Sequence, residues 1–138
     1  MKVLIDSNIA LDILLINEGF YTGSMAVFVH AEQNLINGYI SASAITDIFY
    51  ISKKRHGKEM ALKSIKKILQ VFQPATVTDK NIYKALDLDW DDFEDAVQYV
   101  AGENLALDYI VTRNISDFSK GNIPAVTPEQ FIDIITAV

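Results

Sequence analysis

Short apolar runs alternate with longer amphipathic segments along the chain. The runs KVLI, YISA, ATV and DYIVT predict strands, and a shorter AV segment near the end predicts another. The segments between them carry apolar residues three or four positions apart, which predicts helices. Because strands alternate with helices, the pattern predicts an open parallel sheet with helices on both faces and right-handed crossovers.

Polar residues and glycines at the ends of these segments predict where the helices begin and end. Ser7 or Asn8 is expected to cap the first helix. The second helix is expected to begin at Ser24 as N-cap and to stop at Gly38.

The later helices carry clearer signals. Thr78 is a predicted N-cap, Asp91 with Glu94 resembles a capping box, and Thr127 followed by Pro128 announces the last helix. The segment from Lys58 to Phe72 predicts an amphipathic helix whose apolar residues face inwards, namely Met60, Leu62, Ile65, Ile68 and Leu69.

Composition narrows the class of protein. The chain has 138 residues, half of them hydrophobic and 22% charged, which fits a single globular domain. Cysteine is absent, which excludes a thiol nucleophile, a thiolate zinc site and an iron–sulfur cluster. We expect a cytoplasmic protein without membrane association, because no signal-peptide core and no spanning apolar run occurs.

Charge is distributed unevenly. The formal net charge is −6, which argues against a non-specific nucleic-acid coat protein. Seven of the 12 basic residues nevertheless fall between Lys53 and Lys67, while acids crowd into residues 87–95. The molecule is therefore expected to carry a basic surface and a separate acidic surface. The basic segment is either a phosphate-binding surface or a solvated helix face.

Carboxylates follow several predicted strands. Asp6 ends the first strand, Asp47 lies about one turn into the helix after the second, and Asp117 lies with Asn114 in the loop after DYIVT. Asp95 lies near the start of the helix before that strand. Ligands of open parallel sheets bind outside the carboxyl ends of the strands. The four carboxylates are therefore expected to converge on one edge.

Converging carboxylates repel one another, and a hard divalent cation relieves that repulsion. Mg²⁺ or Mn²⁺ prefers oxygen ligands, keeps several waters and needs one or two direct carboxylates. A bound water then becomes a nucleophile suited to a phosphodiester.

Each acid also has an interpretation in which it takes no part in catalysis or metal binding. Asp6 fits a carboxylate that interacts with a helix N-terminus, and Asp47 fits an exposed helix residue. Residues 87–95 fit a solvated turn, from which we retain Asp92 and Asp95 as candidates because they share one helix face.

Other sites are excluded by spacing. A calcium loop that begins at Asp87 has Asp92 where the EF-hand needs Gly and Gln98 where it needs Glu. The six glycines form no dinucleotide or P-loop motif, and the two histidines suggest no hydrolase triad.

Three segments, VLIDSNIALDILL, ISASAITDIFYI and DFEDAVQYVAGENLALDYIVTRNISDF, resemble in order and spacing the PIN-domain family, particularly the VapC-like toxins of toxin–antitoxin pairs. The resemblance spans nearly the whole chain. It implies one PIN-like domain over residues 1–138, with three α/β/α layers and a central parallel sheet of four to five strands.

The resemblance also implies a Mg²⁺- or Mn²⁺-dependent endoribonuclease that hydrolyses RNA and is neutralised by a cognate antitoxin. The family's acids fall on Asp6, Asp47, Asp95 and Asp117. Of these, Asp6, Asp95 and Asp117 are the expected metal ligands. The polar residues that match the family's pocket are Ser7, Asn8, Thr112 and Asn114. The basic residues expected to guide RNA are Lys53, Lys54, Arg55 and Arg113.

Two positions depart from the family pattern. Asp47 stands where Glu is usual and is one methylene shorter, and Asn114 stands where Asp is frequent and lacks the charge. Asp117 is therefore the expected fourth acid. A chain this rich in Ile, Leu, Phe and Tyr also predicts an apolar groove for an antitoxin helix or a second copy of the chain, so we expect a homodimer.

Two other classes are considered. A PIN-like module with altered acids would bind RNA or protein without cleaving. A phosphorylatable receiver domain would need paired acids after the first strand and a Lys after the last core strand, where this sequence has IDSN and VTRN.

Overall fold

The computed structural model describes residues 1–137, so Val138, the last residue of the expected domain, lies outside the described residues. The strands are β1 (Lys2–Ile5), β2 (Asn37–Ser41), β3 (Gln73–Ala75), β4 (Tyr109–Val111) and β5 (Ala125–Val126). The helices are α1 (Ser7–Leu14), α2 (Tyr21–Glu32), α3 (Ala42–His56), α4 (Lys58–Val71), α5 (Asp79–Leu88), α6 (Phe93–Glu103) and α7 (Pro128–Thr136). A 3₁₀ turn spans Ile115–Phe118.

The five strands form one parallel sheet in the order β3-β2-β1-β4-β5. The chain runs outwards from β1 to β3 and then returns to the other side of β1 to form β4 and β5. The strand order therefore reverses between β1 and β4. The predicted parallel sheet is confirmed, with β1 at its centre.

Successive residues of β1 face opposite layers because side chains alternate along a strand. Val3 and Ile5 pack with α1, α2, α3, α4 and α7, whereas Leu4 packs with α5 and α6. These three residues are fully buried. The predicted three-layer α/β/α architecture is therefore confirmed.

The predicted starts of the first two helices are wrong. Helix α1 begins at Ser7 with Asp6 at the N-cap position, and α2 begins at Tyr21. Ser24 lies buried inside α2, where its hydroxyl donates a hydrogen bond of 3.2 Å to Asp12 Oδ2. A hydroxyl that is engaged by a carboxylate twelve residues away does not cap its own helix.

Gly38 does not stop a helix, because it lies in β2. Helix α2 ends at Glu32, and Asn34 then takes a left-handed conformation with φ 61°, which reverses the chain. A Cβ atom at position 38 would collide with the ring of Phe72. The glycine therefore allows a side chain from the end of α4 to reach the sheet.

The prediction that α4 buries all its large apolar residues is wrong. Ala61, Ile68 and, after the helix, Phe72 are buried, and Ile65 is half-buried. The residues at the margins of this stripe are exposed, namely Met60, Leu62 and Leu69. The amphipathic pattern therefore predicted the helix correctly, but it predicted a wider buried face than the helix has.

The later segments follow the predictions with small shifts. Thr78 and Thr127 cap α5 and α7 through capping boxes, as predicted. The N-cap of α6 is Asp92, so the capping box predicted from Asp91 and Glu94 is wrong. Strand β3 lies two residues earlier than predicted and includes Pro74, which an edge strand tolerates.

Candidate functional site

Asp6 lies where the strand order reverses, at the carboxyl end of β1. Its backbone N–H donates to the Val111 carbonyl of β4 at 2.9 Å, and its side chain is only 2% exposed. Although Asp6 occupies the N-cap position of α1, its carboxylate makes no capping hydrogen bond. Asp6 therefore lies at the position in the sheet beside which open α/β sheets bind ligands.

Four uncharged donors hold the Asp6 carboxylate. Thr112 Oγ1 donates to Oδ2 at 2.8 Å, and Asn8 Nδ2 approaches the same oxygen at 3.5 Å. Ser7 Oγ and Gln98 Nε2 donate to Oδ1 at 3.3 and 3.2 Å. Each donor orients the carboxylate but leaves its charge in place.

Asp95 lies in the first turn of α6 and is 8% exposed. Its backbone N–H donates to Oδ1 of Asp92 at 3.1 Å, which fixes the start of the helix. Gln98 Nε2 lies 3.4 Å from Asp95 Oδ1 as well as 3.2 Å from Asp6 Oδ1. The two carboxylates are therefore linked by one side-chain amide.

The environment of Asp95 disfavours its ionised form. Burial, followed by the negative charges of Asp6, Asp92, Asp117 and Glu94, raises the pKa of Asp95 from 3.8 to about 7. These acids therefore interact with one another across the edge of the sheet. The expected convergence of Asp6, Asp47, Asp95 and Asp117 on one edge stays a prediction, which the effect of the Asp6 and Asp117 charges on Asp95 supports.

Asp47 lies near Glu94 in this acidic cluster. Burial, followed by the charges of Asp47, Asp92 and Asp6, raises the pKa of Glu94, while a hydrogen bond with Ser7 lowers it. A cavity of about 330 Å³ opens here and is lined by residues of α1, α3 and α6, among them Ser7, Asn8, Asp47, Tyr50 and Glu94. Glu94 was considered from the sequence only as part of a helix start.

Asp117 lies on the 3₁₀ turn and lines a separate cavity of about 340 Å³ together with Asp95, Asp92 and Trp90. Asn114 precedes this turn, and its backbone N–H donates to Thr112 Oγ1 at 3.0 Å. Thr112 therefore accepts from Asn114 and donates to Asp6. Asp47 and Asp117 therefore line different cavities, and Asp95 lines the cavity that contains Asp117.

The donor set consists of oxygen atoms, which suits a hard cation such as Mg²⁺ or Mn²⁺. Within residues 1–137, no three acidic or histidine side chains are already drawn together as a closed set of metal ligands. Mg²⁺ keeps most of its waters and binds through one or two carboxylates. The linked pair of Asp6 and Asp95 provides two carboxylates of the kind that this mode of binding uses.

Arg113 has an ion partner within the protein. Its Nε atom lies 2.9 Å from Oδ2 of the fully buried Asp12, and its guanidinium lies 4.2 Å from the centroid of the Phe20 ring. Asn17 Nδ2 and Ser24 Oγ donate to the same carboxylate at 3.0 and 3.2 Å. This contact ties the end of β4 to α1 and α2, and leaves the predicted role of Arg113 in RNA binding as a prediction.

The basic run divides between α3 and α4. Lys53, Lys54 and Arg55 are exposed in the last turn of α3. Lys54 Nζ lies 4.5 Å from the centroid of the Tyr50 ring, and Tyr50 lines the cavity that holds Asp47. A cation and an exposed aromatic ring therefore adjoin the acidic cluster.

Sequence reasoning missed two residues at the site. Gln98 was considered only as a failed calcium ligand, although its position three residues after Asp95 places it on the same helix face. Asp12 was passed over, although a charged residue inside the apolar run of α1 signals a buried partner.

No helix within residues 1–137 is long and apolar enough to cross a membrane.

Comparisons with known proteins agree with this architecture. The sequence model of the PIN domain matches residues 2–116. No curated protein shows significant similarity to the chain.

Several solved structures share the fold at low identity. VapBC2 of Rickettsia felis, bound to a DNA fragment from its promoter, gives a TM-score of 0.69 at 15% identity over 92% of this chain and 98% of that chain. A toxin–antitoxin complex from Klebsiella pneumoniae gives 0.67 at 20% identity over 91% and 97%. VapC20 of Mycobacterium tuberculosis, described as a sarcin–ricin loop cleaving toxin, gives 0.64 at 12% identity over 78% and 86%.

These neighbours confirm the resemblance to VapC-like proteins that the three sequence segments suggested, and their low identity limits the structural likeness to the fold. The family match covers most of the sequence, from the first strand to the 3₁₀ turn. The chain belongs to the PIN domain family.

Proposed function

We propose that this protein is a metal-dependent endoribonuclease and the toxin of a type II toxin–antitoxin pair, with its activity in one domain over residues 1–138. The observation that carries the proposal is the buried Asp6–Asp95 pair, which lies at the reversal of strand order and is surrounded by further acids. Membership of the PIN domain family supports the same chemistry.

Asp6, Asp95 and Asp117 would hold the cation, Mg²⁺ or Mn²⁺. The pKa of Asp95 is raised by burial first and by the neighbouring carboxylates second, which supports a site where a bound cation would relieve the repulsion between the acids. When bound, such an ion stabilises negative charge on a phosphate and lowers the pKa of a coordinated water.

The remaining polar residues have roles around this centre. Thr112 orients Asp6 through its hydrogen bond of 2.8 Å, and Ser7 and Asn8 support the same carboxylate. Asp47 lines a different cavity from Asp117, so it would hold a water rather than contact the same cation. Asn114 supplies a neutral amide that orients a phosphate.

RNA is proposed to approach along α3. The exposed ring of Tyr50 and the ammonium group of Lys54 lie beside the cavity that contains Asp47. Single-stranded nucleic acids bind to surfaces that combine aromatic rings with cations. Lys53 and Arg55 extend the positive charge along the same helix end.

A protein partner is proposed for the apolar surface between α1, α2 and α4. Met60 is exposed there, and a cavity of about 320 Å³ is lined by Ile16, Tyr21, Met25 and Lys63 among others. An amphipathic antitoxin segment with acidic residues would cover such a groove. Solved structures of the same fold include VapBC2 and the Klebsiella pneumoniae toxin–antitoxin complex. A second copy of the chain is the other proposed partner.

Cleavage of a mixed pool of labelled RNAs tests the nuclease. We expect cutting with Mg²⁺ or Mn²⁺, none with a chelator, and none by Asp6→Asn. Asp133→Asn, which alters an exposed acid on α7, is the matched control and should cut normally. Metal-independent cutting, or equal cutting by Asp6→Asn, contradicts the proposal.

The second candidate is a PIN module that binds RNA or protein without cleaving. The replacement of a frequent acid by Asn114 and the placement of Asp47 away from Asp117 favour it. Folded protein that binds RNA but cuts none under either metal would establish this candidate.

A further inference from the structure

Gln98 is a fully buried polar side chain in contact with both central carboxylates. We propose that Gln98 is a positioning residue, whose side-chain amide holds Asp6 and Asp95 in the arrangement that binds a divalent cation. The inference rests on the proposed function, because it assigns a role within the same metal site.

The orientation of the Gln98 amide follows from its partners. The backbone N–H of Ser7 lies 3.2 Å from Gln98 Oε1, so the oxygen must face Ser7. The amide nitrogen then faces Asp6 Oδ1 at 3.2 Å and Asp95 Oδ1 at 3.4 Å. Two N–H bonds are available and two carboxylates accept them, so the hydrogen-bonding capacity of the nitrogen is matched by its partners.

The chemistry of an amide suits this position better than other side chains would. An apolar residue would leave the repulsion between Asp6 and Asp95 unrelieved. Lys or Arg would neutralise the pair and compete with a metal ion. An amide attracts both carboxylates without adding charge, so the pair stays ordered and remains negative.

The free carboxylate oxygens indicate where a cation can bind. Within residues 1–137, Asp95 Oδ2 receives no hydrogen bond, whereas both Oδ1 atoms are turned towards Gln98. Asp6 Oδ2 accepts a hydrogen bond of 2.8 Å from Thr112 Oγ1, while Asn8 Nδ2 lies at the long distance of 3.5 Å, so this oxygen has room for one further ligand. Gln98 therefore occupies one side of the pair and leaves the opposite side for the ion.

Gln98→Met tests the inference, because it keeps a long unbranched side chain and removes the amide. Tyr99→Phe is the matched control, since it is the next residue, is buried, and loses one hydrogen bond from the Asn122 N–H without touching a carboxylate. Titration with Mn²⁺, without RNA, should show about ten- to hundred-fold weaker binding for Gln98→Met and unchanged binding for Tyr99→Phe. Equal or tighter binding by Gln98→Met overturns the inference, as does a natural protein that binds no Mn²⁺.

A double-mutant cycle separates positioning from simple loss of a buried hydrogen bond. In metal-free protein, Gln98→Met should lower the melting temperature of the natural chain more than it lowers that of Asp95→Asn, in which one charge has already been removed. The same loss in both backgrounds would assign Gln98 a structural role only.

The natural protein provides a test that does not depend on the folding of a variant. The Gln98 side-chain NH₂ should exchange slowly with solvent and shift in the ¹⁵N NMR spectrum when Mg²⁺ is added. Metal binding through Asp6 without such a shift contradicts the inference. A protein that shows the shift but cuts no RNA refutes the nuclease and leaves the role of Gln98 intact.

Discussion

Two buried carboxylates lie six residues apart on the sequence and have opposite surroundings. Asp12 is paired with Arg113 at 2.9 Å and receives hydrogen bonds from Asn17 and Ser24. Asp6 is held by uncharged donors and has other carboxylates around it. Among the residues that the structure describes, a cation pairs with the first carboxylate and none pairs with the second. The difference fits a structural role for Asp12 and the proposed cation-binding role of Asp6.

The largest expected effect comes from breaking the internal pair. Arg113→Met leaves Asp12 charged, buried and without its cation, so the free energy of unfolding should fall by about 3 to 5 kcal/mol. Urea denaturation measures this change. Lys120→Met, which removes an exposed lysine near the same loop, should alter stability little. A loss below about 1 kcal/mol for Arg113→Met would show that the pair is not important for stability.

Removing a charge from the Asp6–Asp95 pair should lower activity without lowering stability. Asp6→Asn and Asp95→Asn should each reduce RNA cleavage by at least about a hundred-fold, because metal ligation contributes several kcal/mol to catalysis. Neither should lower the melting temperature of metal-free protein, since each removes a repelling charge. Parallel loss of activity and stability would make the Asp6–Asp95 pair structural, like Asp12.

Two exposed tyrosines test whether the surface beside the acidic cluster binds RNA. Tyr50 and Tyr83 are 58% and 68% exposed, but Tyr50 adjoins the acidic cluster and Tyr83 lies on α5. Tyr50→Ala should weaken single-stranded RNA binding by about 1 to 3 kcal/mol, as loss of base stacking does. Tyr83→Ala should leave the affinity unchanged. Fluorescence anisotropy with a chelator present measures binding without cleavage, and equal effects of the two variants would exclude a specific RNA surface on α3.

A smaller expected effect is the dependence of the stability of metal-free protein on pH. The pKa of Asp95 is raised from 3.8 to about 7, so the folded state favours the protonated form. The stability that this preference contributes is full below about pH 4 and is lost as the pH rises to about 7, with the raised pKa of Glu94 acting in the same direction. Melting temperatures of metal-free protein should show this component, and Asp95→Asn should lack it.

Added Mg²⁺ should oppose the loss of stability that occurs as the pH rises. A proton on Asp95 competes with the cation, so the stabilisation by Mg²⁺ should be larger at about pH 8 than at about pH 6. A stabilisation that does not change with pH would exclude Asp95 as a ligand.

The fold could be predicted from the sequence because its signals are local. Apolar runs gave the five strands, and capping residues such as Thr78 and Thr127 gave helix starts. The wrong predictions concern residues whose surroundings are set by distant parts of the chain. Ser24 is engaged by Asp12, and Gly38 makes room for Phe72.

The candidate site was predictable to the same extent. The position of Asp6 after a strand and that of Asp95 in the first turn of α6 indicated one edge of the sheet. The hydrogen bonds that organise this edge could not be predicted, because Gln98 and Asp6 are 92 residues apart and leave no local pattern. Arg113 illustrates the same limit, since it lies in the loop after β4 and its partner Asp12 lies far away in the sequence, on α1.

The hydrogen bond between Thr112 and Asp6 joins residues 106 positions apart in the sequence. During synthesis on the ribosome, β1 emerges long before β4, its neighbour in the sheet, so Asp6 has no Thr112 to orient it. The acidic edge can form only after most of the chain has been translated. On the proposed function, a nascent chain would therefore be harmless to the RNA of its own ribosome, and the proposed antitoxin would have until the end of translation to be present.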